Sequence, residues 1–273
     1  SSDVCSSDLA LIAAAQLTGW AGQTVTDRIT NILTTVGVPA GLMSVGAGSA
    51  SVGPLTAANV ADHLRSCARS DRGRLFVSRS GVVTFEPSTT DMGASASVTF
   101  SDDSTASTVR YTGFELELND RLVYNRAEVS GAGGAFGSAN NTSSQTTYGP
   151  RTLNVTTELG TDRACADYAA AIVARYGTPS TRGTGWQVVP ELALNGSATK
   201  SWATVLGLEL GDTVGLKRTP AVGSAITATV ELTAVGHEIT PSRWDVTMAG
   251  APAYTTAAFR WGTSNWDGAD GWS

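Results

Sequence analysis

Two histidines and three cysteines are the side chains of this 273-residue chain best suited to nucleophilic or acid–base work near neutral pH. His63 follows Asp62 and His237 precedes Glu238, so each has a carboxylate beside it in sequence. A Ser–His–Asp machine also needs a hydroxyl presented by a defined turn, and no Gly-x-Ser-x-Gly elbow occurs. Both histidines therefore read as structural or surface residues, with His63 lying away from the centre of its helix's apolar stripe. Cys5, Cys67 and Cys165 are not paired at metal-ligand spacing, and their odd, sparse number does not describe a disulfide scaffold. Cys67 and Cys165 fall on apolar helical faces, which predicts buried thiols.

The carboxylates and glycines invite other chemistry. Glu115 and Glu117 are two apart in a strand pattern, so both project from one face about 7 Å apart, near the spacing of a glycosidase pair. Their alternation with Phe114, Leu116 and Leu118 explains them more simply as the wet side of that strand. Asp102–Asp103 lacks the Asp and Gly pattern of a calcium loop and reads as turn acids. Gly131, Gly133, Gly134 and Gly137 precede no Lys-Ser or Lys-Thr pair and open no predicted helix, which removes a phosphate cradle. The Asn-x-Ser/Thr triplets at Asn154 and Asn195 carry no more than chance weight. The sequence thus assigns no catalytic, cofactor-binding or metal-ligating residue, and the chain reads as a non-enzyme without a cofactor.

Composition narrows the partners. The net charge is −6, from 24 acidic and 18 basic residues, and only Lys200 and Lys217 are lysines. Phosphate-backbone affinity needs clustered Lys and Arg, so specific nucleic-acid binding is not expected. The longest apolar run, Leu9–Ala15, is far below the roughly 18 residues of a membrane span, and the chain reads as soluble. Ser1–Leu9 (SSDVCSSDL) is polar and self-similar, has no basic n-region, and reads as a non-native scar ahead of a truncated start.

Three short helices should position these residues. The first spans about Val25–Val36, with Ile29, Ile32, Leu33 and Val36 at helical spacing and Gly37 and Pro39 closing it. The second covers about Ala57–Arg69, with Thr56 as its N-cap. The third runs from Thr161 to Tyr176, where Cys165, Tyr168, Ala169, Ile172, Val173 and Tyr176 make an apolar stripe fit to lie on a sheet. Most of the remainder alternates as strand. Arg74–Ser78 and Val82–Glu86 flank a Ser80–Gly81 hairpin loop, and Phe114–Leu118 is followed by Leu122–Val129 as a possible partner. Leu206–Leu210, Val214–Leu216, Ile226–Ile239 and Trp244–Met248 complete the set. Gly131–Thr147 and Met43–Gly53 read as loops, the former mobile until something packs on it. The fold class expected is α+β, a predominantly antiparallel sheet, barrel- or sandwich-like, with three short helices packed on it.

Read in order, three blocks resemble the minor tail or baseplate-hub proteins at the tail tip of long-tailed phages of actinobacteria. They are TDRITNILTTVGVPAG (Thr26–Gly41), LTAANVADHLRSCARSDRGRLFVSRSGVVTFEP (Leu55–Pro87), and a third block starting at LVYNRAEVSG (Leu122–Gly131). The third continues through TTYGPRTLNV (Thr146–Val155), the third helix and LELGDTVGLKR (Leu208–Arg218) to VELTAVGHEITPSRWDVTM (Val230–Met248). The resemblance implies a virion structural protein assembled in the bacterial host cytoplasm and located at the tail tip. It implies other tail-tip proteins as partners and a homo-oligomeric ring, a trimer among its possible forms. The domain division expected is a helix-helix-hairpin part (10–113), a β-rich domain with one helix (114–253) and a Trp/Gly-rich tail (254–273). Phe114–Val129 can pair with the sheet of either part. Trp261, Trp266 and Trp272 in the tail are the candidate interaction residues, packing on a neighbour or, in an alternative reading, stacking on the sugar rings of a receptor.

Overall fold

The computed structural model describes residues 20, 22–55, 59–88, 95–102, 108–118, 120–179, 181–190 and 201–253. In chain order the elements begin with β1 (Gln23–Thr24), α1 (Val25–Thr35), β2 (Met43–Val45), β3 (Ser51–Val52), α2 (Val60–Ser70), β4 (Arg74–Val77) and β5 (Val83–Glu86). There follow β6 (Thr99–Ser101), β7 (Thr108–Arg110), β8 (Gly113–Leu118), β9 (Arg126–Ser130), β10 (Phe136–Asn140), α3 (Thr142–Tyr148), β11 (Thr152–Thr156) and α4 (Asp162–Tyr176). The last are β12 (Thr181–Val188), α5 (Trp202–Gly207), β13 (Thr213–Arg218), β14 (Ile226–Thr240) and β15 (Arg243–Pro252). The described residues fall into two units, one from Ser1–Thr90 with Leu122–Thr178, the other from Asp91–Arg121 with Pro179–Ser273.

In the first unit, α1 starts where Thr24 and Asp27 cap each other reciprocally, satisfying two backbone donors at the helix start. Its buried face carries Val25, Ile29, Ile32 and Leu33, and meets Val60, Leu64 and Cys67 of α2 in one core with Val52 and Phe85. The helix α2 begins at Val60 with Asn59 as its N-cap, later than expected, and Thr56 lies outside the described residues. The β4–β5 hairpin forms as expected, with Gly81 at φ 79° in the turn. β2 joins it in parallel alongside β5, so part of the Met43–Gly53 stretch expected as loop is strand.

A second core of this unit lies between α4 and the sheet β10-β9-β11. Thr161 caps α4 by accepting from the Ala164 amide, and Cys165, Ala169, Ile172 and Val173 face Ala127 and Val129. The glycine-rich stretch 131–147, expected to be a mobile loop, is instead a turn, β10 and α3. Its small residues serve close packing: a Cβ at Gly137 would drive into the backbone of Cys165 and Ala166, so only glycine lets α4 sit this near the sheet. Asn141 then caps α3 by accepting from Ser144 N at 3.0 Å.

The two stretches of this unit are stitched by a Val52–Leu159 bridge and by Gly53 N to Glu158 O (2.7 Å) and Gly160 N to Ser51 O (3.1 Å). Glu158 N also donates to the Ser70 hydroxyl at 2.8 Å.

The second unit is one open seven-stranded sheet, in the order β7-β6-β13-β14-β15-β12-β8. Phe100, Trp186, Val214, Leu216, Val230, Val246 and Met248 form its core. β8 pairs with β12, not with Leu122–Val129. That segment joins the first unit because Asn125 is buried there, its amide donating to Gly149 O (2.8 Å) and its carbonyl accepting from Arg151 N (2.8 Å). Leu206–Leu210, expected as strand, contributes the end of helix α5 and a turn in which Asp212 accepts from Glu209 N at 2.9 Å. Val205 is the side chain of α5 that the core takes up, while Leu206 is half exposed.

The α+β class holds, with seven antiparallel and four parallel pairings among the described residues, so antiparallel pairing predominates. The sheets are open rather than closed into a barrel, and α3 and α5 add two short helices to the three expected. No helix of the described residues is long and apolar enough to cross a membrane.

Candidate functional site

The structure brings one predicted histidine and one predicted cysteine together. On α2, His63 and Cys67 are one helical turn apart, with Cys67 Sγ 3.4 Å from His63 Nε2. Glu158 Oε1 lies 4.0 Å from the other ring nitrogen, so thiol, imidazole and carboxylate stand in the order of a Cys–His–acid triad. Yet His63 is 2% exposed and Cys67 not at all, which corrects the placement of His63 off the apolar stripe.

The electrostatics run opposite to activation. Burial pushes the Cys67 thiol up to about 12, and burial together with the Arg28 charge pushes His63 down to about 4. A nucleophilic thiolate needs its thiol lowered by a charged imidazole, and here both groups are held neutral. Cys165 is also buried, and burial again raises its thiol.

What the cluster does is hold Arg28. This guanidinium is fully buried on α1 and donates from Nε to Gln23 Oε1 (2.6 Å), and from Nη2 to Trp20 O (2.7 Å) and Gly53 O (2.8 Å). Its Nη1 lies 3.2 Å from His63 Nε2. Since arginine only donates, Nε2 must accept, which places the ring proton on Nδ1, facing Glu158. Glu158 is the nearby negative charge that offsets Arg28.

The second predicted histidine lies in the other unit. His237 is exposed on β14, and its Nδ1 accepts from Trp244 Nε1 at 3.3 Å. Trp202 of α5 meets Trp244 edge-on at 5.5 Å between ring centroids. Beyond Leu232, β14 keeps β15 on one side and has no strand on the other among the described residues. The β14 edge of the β14–β15 ribbon is therefore open there, while Trp244, Val246 and Met248 of β15 stay in the core. Ile239, directly across from Trp244, is 73% exposed on the face that elsewhere packs inward, with half-exposed Trp202 and Leu206 on the neighbouring helix. This ribbon face is the candidate interaction surface, which the sequence did not single out; the strand pattern was visible, its missing partner was not.

Glu115 sits exposed on β8, two residues from Glu117, as expected of a wet strand face. Asp102 is a loop brace, both its oxygens accepting from Thr219 N at 2.9 Å. Among the described residues no three His, Cys, Asp or Glu side chains gather as a metal site. Trp261, Trp266 and Trp272 lie outside the described residues.

No protein-family model and no curated protein sequence matches the chain. Among solved structures it is similar to the tail protein from Neisseria meningitidis MC58, at 12% identity and a TM-score of 0.57, over 89% of this chain and 71% of that one. It is similar also to the 43 kDa tail protein of prophage MuSo2 from Shewanella oneidensis, at 9% identity and a TM-score of 0.53, over 88% of this chain and 70% of that one. A chain in the virion of a native gene transfer agent particle matches at 12% identity and a TM-score of 0.52; 86% of this chain is covered, but it spans only 49% of that one. At such identities the likeness is one of fold: this chain is built like proteins of phage tails.

Proposed function

We propose that the chain is a structural subunit of a phage tail, a minor tail or baseplate-hub component at the tail tip that takes part in tail assembly. The observation that carries this reading is a fold shared, over nearly nine-tenths of the chain, with two tail proteins. The ribbon supplies the physical means. Among the described residues the β14 edge beyond Leu232 has no strand beside it, and with Ile239 exposed next to it this surface is ready to pair with another subunit. The partners are other tail-tip proteins and further copies of this chain in a ring. The ordered sequence blocks alone support an actinobacterial host.

Immunogold electron microscopy of tails tests the reading. Label at the distal end of the tail supports it, and label along the shaft or none on the particle overturns it. Removal of residues 254–273 separates the role of the tryptophans: normal tails that fail to adsorb would mark Trp261, Trp266 and Trp272 as receptor-binding, whereas failed assembly would place them at a subunit contact.

A further inference from the structure

We propose that Arg28, His63 and Glu158 form an acid-sensitive latch in the first unit, closed while the His63 ring is a neutral acceptor and opened by its protonation. Four chain segments converge there. Gly53 accepts from Arg28 through its carbonyl and donates through its amide to Glu158 O, and Glu158 N is tied to Ser70. His63 is the joint between Arg28 on α1 and the Thr157–Gly160 segment.

The charged and titratable groups facing the ring are Arg28 from α1, Cys67 from α2 itself and Glu158 from that segment. A proton on Nε2 removes the acceptor of the Arg28 bond and sets two buried cations side by side, with one carboxylate near them. The Ser51–Gly53 and Glu158–Gly160 seam that rests on this joint then loosens. The resting state at neutral pH is the closed one, because burial and Arg28 hold His63 at about 4 against an ordinary value of 6.5.

Amide exchange at the seam in the full chain is the test, read at Gly53 and Gly160 and corrected for intrinsic exchange rates. If opening restores an ordinary histidine, linkage predicts that protection falls roughly 20-fold between pH 7 and pH 5. In His63→Gln, which accepts from Arg28 but does not titrate, protection should stay flat. Wild-type protection that does not change, or an equal fall in both proteins, overturns the latch. Ring NMR of wild type gives a check that needs no variant: a His63 midpoint below pH 5 supports the latch, and one at 6 or above overturns it.

Discussion

Arg28 Nη1 donates to His63 Nε2 across 3.2 Å, joining two helices through side chains that have almost no exposed surface. A charged group in that position is tolerated only because backbone carbonyls, a glutamine and a neutral imidazole accept its protons and Glu158 balances its charge.

Replacing Arg28 with Met should therefore destabilise the protein by roughly 3–5 kcal/mol, because the carbonyls of Trp20 and Gly53 lose their donor inside the core. Arg28→Lys should recover only part of this, since one ammonium cannot reach acceptors arranged around a fork. Urea unfolding of the two variants measures both effects.

The His63 linkage has a definite sign. Its folded value of about 4 lies below the ordinary 6.5, so the unfolded chain binds the extra proton first. Its contribution is complete above pH 6.5 and is lost as pH falls toward 4, about 3 kcal/mol in all. Unfolding free energies measured at intervals across that window should show the slope in wild type, and His63→Gln should remove it.

Cys67 and Cys165 should be silent toward a thiol reagent in the native protein and react fully once it is denatured. The measurement is made in a Cys5→Ser background, where any fast native reaction would contradict the burial of these two thiols.

Gly137→Ala should cost about 1–3 kcal/mol or more, because the new methyl meets the backbone of α4 rather than a side chain able to turn away. Gly41→Ala, with open space around the added carbon, should stay within about 0.5 kcal/mol of wild type. Thermal unfolding of the pair separates close packing from the general effect of losing a glycine.

Ile239→Glu alters a side chain that is 73% exposed, so folding stability should change by no more than about 0.5 kcal/mol. The same change should strongly reduce incorporation into tails, read as the amount of this chain in purified particles. Normal incorporation would remove the ribbon face from the assembly surfaces.

Periodicity and capping chemistry were enough to locate α1 and α4 nearly to the residue, since their apolar stripes and closing glycines are local signals. The hairpin at Gly81 and the strand pattern of β14 and β15 were equally local. Leu206–Leu210 misled because a short alternating run suits helix end and strand alike, and Val205, not Leu206, is the side chain the core accepts. Composition also misread 131–147 as loop, because small residues that permit close helix–sheet contact look the same in sequence as those that permit mobility.

The sequence by itself thus determined α1 and α4, the α+β class and the burial of Cys67 and Cys165. Tertiary structure alone decided that His63 meets Arg28, Cys67 and Glu158, that Leu122–Thr178 packs with the N-terminal stretch, and that among the described residues one edge of β14 beyond Leu232 has no strand beside it. Such relationships join residues as distant in sequence as Ser51 and Gly160. They depend on which apolar faces and buried polar groups satisfy one another in three dimensions, and no local spacing encodes that.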